Sequence, residues 1–395
     1  MNRITQCMHG RGTVSGVMRH QNRPLSEMPG KYLAFARDYR PVVFWNLTDR
    51  CNLACAHCYS RSGPACGTEE ELSTGEALTL IEDFAAAGVP LILFSGGEPL
   101  LREDLPELAR AAANRGIRTA LSTNGTLITA DAARMIRDCR IGYVGISLDG
   151  AGPETHDAFR GTAGAFERAM EGFARCREAG IRTGLRVTLT NANRGELEAL
   201  IDLAAALGAS RFCLYWLVPS GRGGDAYDRL QVGPEEVDGA LTLLYRRALE
   251  TDPGSMEFLT VDAPQDCVHL LRAMERDGSS DVAEAEALVR SLNGGCSAGR
   301  RVANIDPQGN VYPCQFARAR EFLVGNVREQ PFSRIWQEAE NPVLSRFRAV
   351  PRELAGKCGK CGYRDLCGGG CRVRAYAAGG DHASEDPFCF VDTGR

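Results

Sequence analysis

The chain has 395 residues, 44% of them hydrophobic and 24% charged, with a formal net charge of −4. At that length roughly two to three domains are expected, with enough chain to bury a real core. The balance excludes wholesale disorder and offers no basic surface for nucleic acid. No run of about eighteen apolar residues is present to span a membrane, and the opening MNRITQCMHGRGTVSG lacks the apolar centre of a signal peptide. A cytoplasmic location is expected. In that compartment sixteen cysteines point to metal ligation, catalysis or burial rather than disulfides.

Residues 1–40 are polar and glycine-bearing, and read as an extension wrapping the domain that follows. From Pro41, short apolar runs at 42–47, 91–94, 117–121, 143–147, 183–189 and 212–217 read as buried strands. Helical patterns separate them. Ser73 to Glu76 offers a capping box for a helix that stops at Gly88, and Thr129 opens another ending near Cys139. Two more end at Gly180 and Gly208. Six strands alternating with helices predict an α/β fold with a parallel sheet over 41–225, open or curled into a partial barrel. Ligands bind such sheets at the carboxyl ends of the strands. There lie Cys51, then Ser95-Gly96-Gly97-Glu98, Ser122-Thr123-Asn124-Gly125 and Ser147-Leu148-Asp149-Gly150. Residues 226–293 read as a charged helical connector. From 294 to 395 Gly and Cys crowd together in a compact tail that needs metal cross-links.

Two cysteine groups carry the chemistry. Cys51, Cys55 and Cys58 place three thiols on one tight loop, able to hold three irons of a [4Fe–4S] cube and leave the fourth open. A zinc site there would need a fourth ligand, which His57 supplies only awkwardly from inside the loop. The second group runs Cys296, Gly309, Cys314, Cys358-x2-Cys361-x5-Cys367-x3-Cys371 and Cys389. Taken alone it suggests a zinc ribbon or an iron–sulfur site. Seven thiols are one short of two four-ligand sites.

The Cys-x3-Cys-x2-Cys loop followed by Tyr59 resembles that of the radical S-adenosylmethionine (SAM) enzymes. Gly96-Gly97-Glu98-Pro99 is similar to the family's segment for the SAM amino group. Ser122, Asn124, Ser147, Asp149 and Arg186, with Arg160 as a further candidate, fall where members contact the ribose or carboxylate. The resemblance implies a partial (β/α)6 barrel that cleaves SAM to a 5′-deoxyadenosyl radical, reduced by a small flavodoxin- or ferredoxin-type donor. The later cysteines resemble the SPASM extension, a small Cys-rich domain with two auxiliary [4Fe–4S] clusters, three clusters in all. By that resemblance Cys358, Cys361, Cys367 and Cys389 ligate one auxiliary cluster. Cys296, Cys314 and Cys371 ligate the other, with Cys267 as a candidate fourth ligand.

A narrower likeness, carried by 43–47, 94–99, 145–150, 258–262 and 325–328, is to the branch that modifies siroheme-derived tetrapyrroles in haem and haem d1 formation. The full set of seven later cysteines departs from that branch's side-chain-removing members. A tetrapyrrole's carboxylates need cations, and Arg222, Arg300, Arg301, Arg318 and Arg372 are candidates, with Trp216 in an apolar mouth. The competing readings are a SPASM-type peptide or protein maturase and a non-enzymatic zinc-binding protein. Forty residues before the barrel are too few for a peptide-binding domain, which favours the tetrapyrrole, although sulfatase maturases lack such a domain too.

Overall fold

Runs rich in Val, Leu, Ile and Phe can bury both faces only in a sheet covered by helices, and they do so here. The computed structural model describes residues 2–10, 40–67, 70–291 and 295–391. A short strand β1 (Asn2–Arg3) precedes β2 (Val42–Asn46), β3 (Leu91–Ser95), β4 (Arg118–Thr123), β5 (Val144–Ser147), β6 (Thr183–Leu189) and β7 (Arg211–Trp216). Strands β2 to β7 lie side by side, parallel and in chain order. The expected capping box is present: Ser73 Oγ accepts from Glu76 N, and Glu76 Oε2 accepts from Ser73 N at 2.8 Å. The helix it starts, Thr74–Ala86, buries Leu80, Ile81 and Phe84 against the sheet. Gly88 ends that turn at φ +70°, where a side chain is disfavoured.

The sheet is larger than the six expected strands. Within 226–293, expected to be helical, Glu257–Val261 forms β8 and pairs parallel with β7. Its first residue, Glu257, is buried against Arg211 at 3.1 Å, so a charged residue opens the strand. Beyond 294 the chain adds β9 (Val302–Ile305), parallel to β2, and then antiparallel β10 (Asn310–Tyr312) and β11 (Gly325–Asn326). Among the described residues one open sheet of eleven strands results, ordered β1-β8-β7-β6-β5-β4-β3-β2-β9-β10-β11. At the other edge β1 pairs antiparallel with β8, and the buried helix Ile4–His9 follows it. The expected wrapping by residues 11–39 lies outside the described residues.

The core is shared across the chain. Trp45 of β2 meets Phe84 edge-on at 5.7 Å, and Phe84 meets Phe332 at 5.1 Å. Aromatic pairs of this geometry add to what their area contributes. No helix of the described residues is long and apolar enough to cross a membrane.

Candidate functional site

The loop after β2 is pinned from three sides, and the pinning presents its thiols. Ala54 N and Ala56 N donate to the carbonyls of Arg160 and Phe159, at 3.1 and 3.0 Å. The Arg222 guanidinium donates to Cys55 O at 2.9 Å and Ser62 O at 2.8 Å. Beneath the loop, Gly97 N donates to Thr48 O at 2.7 Å and Glu98 N to Arg50 O at 2.8 Å. Glycine is required there: a Cβ on Gly96, at φ +130°, would lie 2.6 Å from Thr48 O, and one on Gly97 would overlap Arg50 O. Cys51, Cys55 and Cys58 all face one cavity at the carboxyl ends of the strands, enclosing about 1090 Å³ that includes open solvent. Burial pushes the Cys51 thiol up to about 12 despite a hydrogen bond from Leu53 N.

Donors surround these sulfurs. Arg160 Nη1 reaches Cys55 Sγ at 3.5 Å, and Asn124 Nδ2 reaches Cys51 Sγ at 3.8 Å. Arg160 also pairs with Asp149, Nη2 to Oδ2 at 2.5 Å, with both side chains buried. Burial alone would lift the Asp149 carboxyl, yet Arg160 and His57 hold it below its ordinary range. His57 lies 3.5 Å from Asp149 and stacks on Phe159 at 4.6 Å between centroids. Burial drives the His57 imidazole down to about 4, so the ring is neutral at pH 7. From the neighbouring strands Arg186 donates to Ser122 Oγ and lies over the Tyr215 ring at 5.4 Å.

The structure brings Gly96, Gly97, Ser122, Asn124, Ser147, Asp149, Arg160 and Arg186 to the cavity with the three cysteines. Glu98 is turned away. It is wholly buried and accepts from Thr123 Oγ1 at 2.8 Å, Asn124 N at 2.9 Å and Leu100 N at 3.2 Å. Its carboxylate ties β4 to the Gly96-Gly97 turn instead of lining the cavity.

The later cysteines form two groups. Cys358, Cys361, Cys367 and Cys389 line one small recess with Gly369 and Gly370. Cys371 packs with Cys296 and Cys314 beside Ala317 and Phe347. Burial lifts the Cys314 thiol, and Cys296 and Cys371 lift it further. Among the described residues no three His, Cys, Asp or Glu side chains gather as a single ion would need. A lone tetrahedral zinc draws its thiolates to within about 4 Å of one another. Each later group gathers three or four thiols, the donor set that an iron–sulfur cube takes at its corners.

Two expectations are corrected. Cys267 is buried in the main core, where burial lifts its thiol first and Cys367, Asp266 and Cys7 add to the shift, so it does not stand with Cys296, Cys314 and Cys371. Arg372 is wholly buried, with Nη1 on the carbonyls of His382 and Ser384, and has no route to a substrate. Arg222 lines the cavity as expected, with Nε and Nη2 committed to the cysteine loop. Of the other cations, Arg318 faces Asp49 at 4.0 Å and Asp306 at 3.8 Å. Arg300 and Arg301 are half-buried beside Cys296 in sequence. Trp216 walls the cavity, although its indole donates to Asp266 at 2.7 Å and it is 1% exposed. Sequence reasoning missed Gln315 and Phe316, which enter the cavity directly after Cys314, and Tyr215. Adjacency to Cys314 was the available signal. Phe316 meets Tyr59 edge-on at 5.5 Å, joining the C-terminal part to the first loop.

Known proteins match this arrangement. The radical SAM superfamily model covers residues 45–204, and the SPASM iron–sulfur cluster-binding domain covers 296–362. The chain is 39% identical over 387 residues to the Fe-coproporphyrin III synthase of Methanosarcina barkeri, covering 96% of this chain and 95% of that one. It is 40% identical over 360 residues to the pre-heme d1 synthase of Dinoroseobacter shibae, covering 89% and 86%. Among solved structures, Streptococcus suis SuiB bound to S-adenosylmethionine superposes with a TM-score of 0.69 at 18% identity, over 88% of this chain and 77% of that one. That likeness is one of fold.

Proposed function

The chain belongs to the radical SAM superfamily and carries its SPASM iron–sulfur domain, and from that premise we propose that it modifies a side chain of a siroheme-derived tetrapyrrole in haem or haem d1 formation. The observation that carries this reading is near-full-length similarity to two enzymes named for tetrapyrrole products. The cavity supports it, with Phe44, Tyr59, Tyr215 and Phe316 giving aromatic surface around the thiols. A macrocycle needs such a wide, largely apolar mouth.

In this reading Cys51, Cys55 and Cys58 hold the SAM-binding cluster, and the two later groups hold auxiliary clusters. A reduced [4Fe–4S] cluster held there would supply the electron for reductive cleavage of bound SAM. The chain's own residues bind, orient and exclude water. Gly96 and Gly97 let backbone groups approach SAM without a side chain intervening. Asp149 is fixed by Arg160 and by Thr188 N, which donates at 2.7 Å. It presents a set carboxylate toward the SAM site. Ser122 and Arg186, already joined, offer the ribose or carboxylate a hydroxyl and a cation. Arg160 and Asn124, donating to Cys55 and Cys51 sulfurs, favour added negative charge and so tune the cluster's potential. Leu53, Leu217 and Val218 wall the cavity and keep water from the radical. A small flavodoxin- or ferredoxin-type protein is the proposed donor.

The test is anaerobic. Reduced enzyme receives SAM and didecarboxysiroheme, and 5′-deoxyadenosine and tetrapyrrole mass are followed together. Coupled 5′-deoxyadenosine formation and tetrapyrrole side-chain change are expected. No tetrapyrrole binding at micromolar concentration, with modification of a peptide encoded beside this gene, would move the protein to the maturases.

A further inference from the structure

Between the two later cysteine groups lie two cations, one wholly buried and one half-buried, without an answering carboxylate among the described residues. Arg372 is wholly buried, and its Nε and Nη2 have no hydrogen-bond partner among the described residues. Arg352 donates through Nη2 to Cys296 O at 2.9 Å and Phe347 O at 3.1 Å, while its buried Nε has no partner among the described residues. Among the described residues neither arginine makes an ion pair. Leaving a buried cation unpaired is strongly unfavourable, as breaking a buried ion pair is. Arg372 is such a cation, and Arg352 is half-buried with its Nε enclosed.

Their location says what answers them. A Cβ on Gly295 would lie 2.6 Å from Arg352 Nη1 and 2.8 Å from Cys367 O, so Arg352 stands where the Cys296 and Cys367 segments touch. A Cβ on Gly369 would lie 2.9 Å from Arg372 Nη2. Gly369 lines the recess of the four-cysteine group. Cys367 of one group and Cys371 of the other are separated only by Gly368, Gly369 and Gly370, all at positive φ. That glycine bridge lets the guanidinium of Arg372 approach the backbone between the groups.

We propose that Arg352 and Arg372 are positioning residues that supply the shared counter-charge of the two auxiliary clusters, holding both in place and raising their potentials. The assignment rests on the iron–sulfur reading above. A thiolate-bound cube is anionic, and accepting one electron from an external donor makes it more so by one charge. A fixed cation nearby therefore favours the reduced form. Two anionic clusters set close together also repel, and a pair of cations at their junction offsets that repulsion. Neither arginine reaches the SAM cavity, so the cluster at Cys51, Cys55 and Cys58 is outside their influence.

The experiment compares the reconstituted parent with Arg352→Gln, Arg352→Lys and Arg372→Gln. Iron and sulfide are counted per chain, and each cluster is followed by electron paramagnetic resonance during a redox titration. Each Gln variant is expected to lower auxiliary reduction about tenfold at a fixed potential, a shift of about 59 mV for a one-electron couple, or to lose auxiliary iron. The SAM-cluster signal should stay at its parent potential, and Arg352→Lys should restore the auxiliary signals. Gln variants with parent iron and parent potentials, or a Lys variant no better than Gln, would overturn the assignment. A parent that reconstitutes only the SAM cluster would overturn the auxiliary-cluster reading and the arginine assignment together.

Discussion

Arg374 and Asp386 form a two-pronged ion pair, Nε to Oδ1 at 2.7 Å and Nη2 to Oδ2 at 2.8 Å, with neither side chain exposed. The same guanidinium reaches Leu217 O at 3.2 Å, just past β7, and Asp262 O at 3.0 Å, just past β8. The same carboxylate accepts from Cys371 N at 2.8 Å. One pair therefore sets the Cys296, Cys314 and Cys371 group against the strand ends that build the cavity. Breaking it by Arg374→Met leaves a buried carboxylate and should cost about 3–5 kcal/mol. A denaturant midpoint close to the parent's would contradict this.

The Gly96-Gly97 turn makes a sharper local prediction. Gly97→Ala places a methyl group into Arg50 O and must displace the cysteine loop. SAM-dependent 5′-deoxyadenosine production should fall at least tenfold, about 1.4 kcal/mol in the barrier. Gly75→Ala, where a Cβ meets nothing within 4 Å, should leave it unchanged. Equal activities in the two variants would refute the argument.

Replacing Cys51, Cys55 and Cys58 together by Ala should abolish SAM cleavage and remove about a third of the iron, as three similar clusters require. Cys267→Ala should retain all of it, losing only about 1 kcal/mol from a small core void. Iron analysis and thermal melts read both. Auxiliary iron lost from Cys267→Ala would return that thiol to the ligands.

Glu98 gives a pH dependence. Burial lifts its carboxyl to about 7 from an ordinary 4.5, against hydrogen bonds from Asn124 N and Thr123 Oγ1. A group that holds its proton more tightly when folded adds stability below its unfolded value, and that stability is lost as pH rises through the folded value. The parent should therefore weaken relative to Glu98→Gln between pH 4.5 and 7. At the acid end Glu98→Gln should be the less stable by about 1–2 kcal/mol, because its amide NH2 replaces an acceptor facing N–H and O–H donors. Urea midpoints that run parallel across this range would rule the coupling out.

Six of the strands and the cavity's cysteines were legible in the sequence because their signals are local. An apolar run buried on both faces looks the same wherever it is read, and the cysteine loop fits within eight residues. Strand β8 was obscured by its buried Glu257 and by the charged helices on either side. What escaped the sequence was long-range. That Glu98 turns to Thr123, that Cys267 packs by Cys7, and that Arg372 lies beneath the surface all depend on partners distant in the chain. Charge and spacing alone made each look like a ligand or a substrate contact.

Strand β2 is an interior strand only because β9 covers it, and the chain that supplies β9 is made some 260 residues later, on the order of tens of seconds of synthesis. Until then Val42–Asn46 presents a row of open N–H and C=O groups on an apolar ribbon. A nascent or truncated chain ending before Val302 is therefore a template for pairing with its neighbours. The protein's vulnerability to aggregation is set by how quickly its last quarter arrives, rather than by the stability it has once complete.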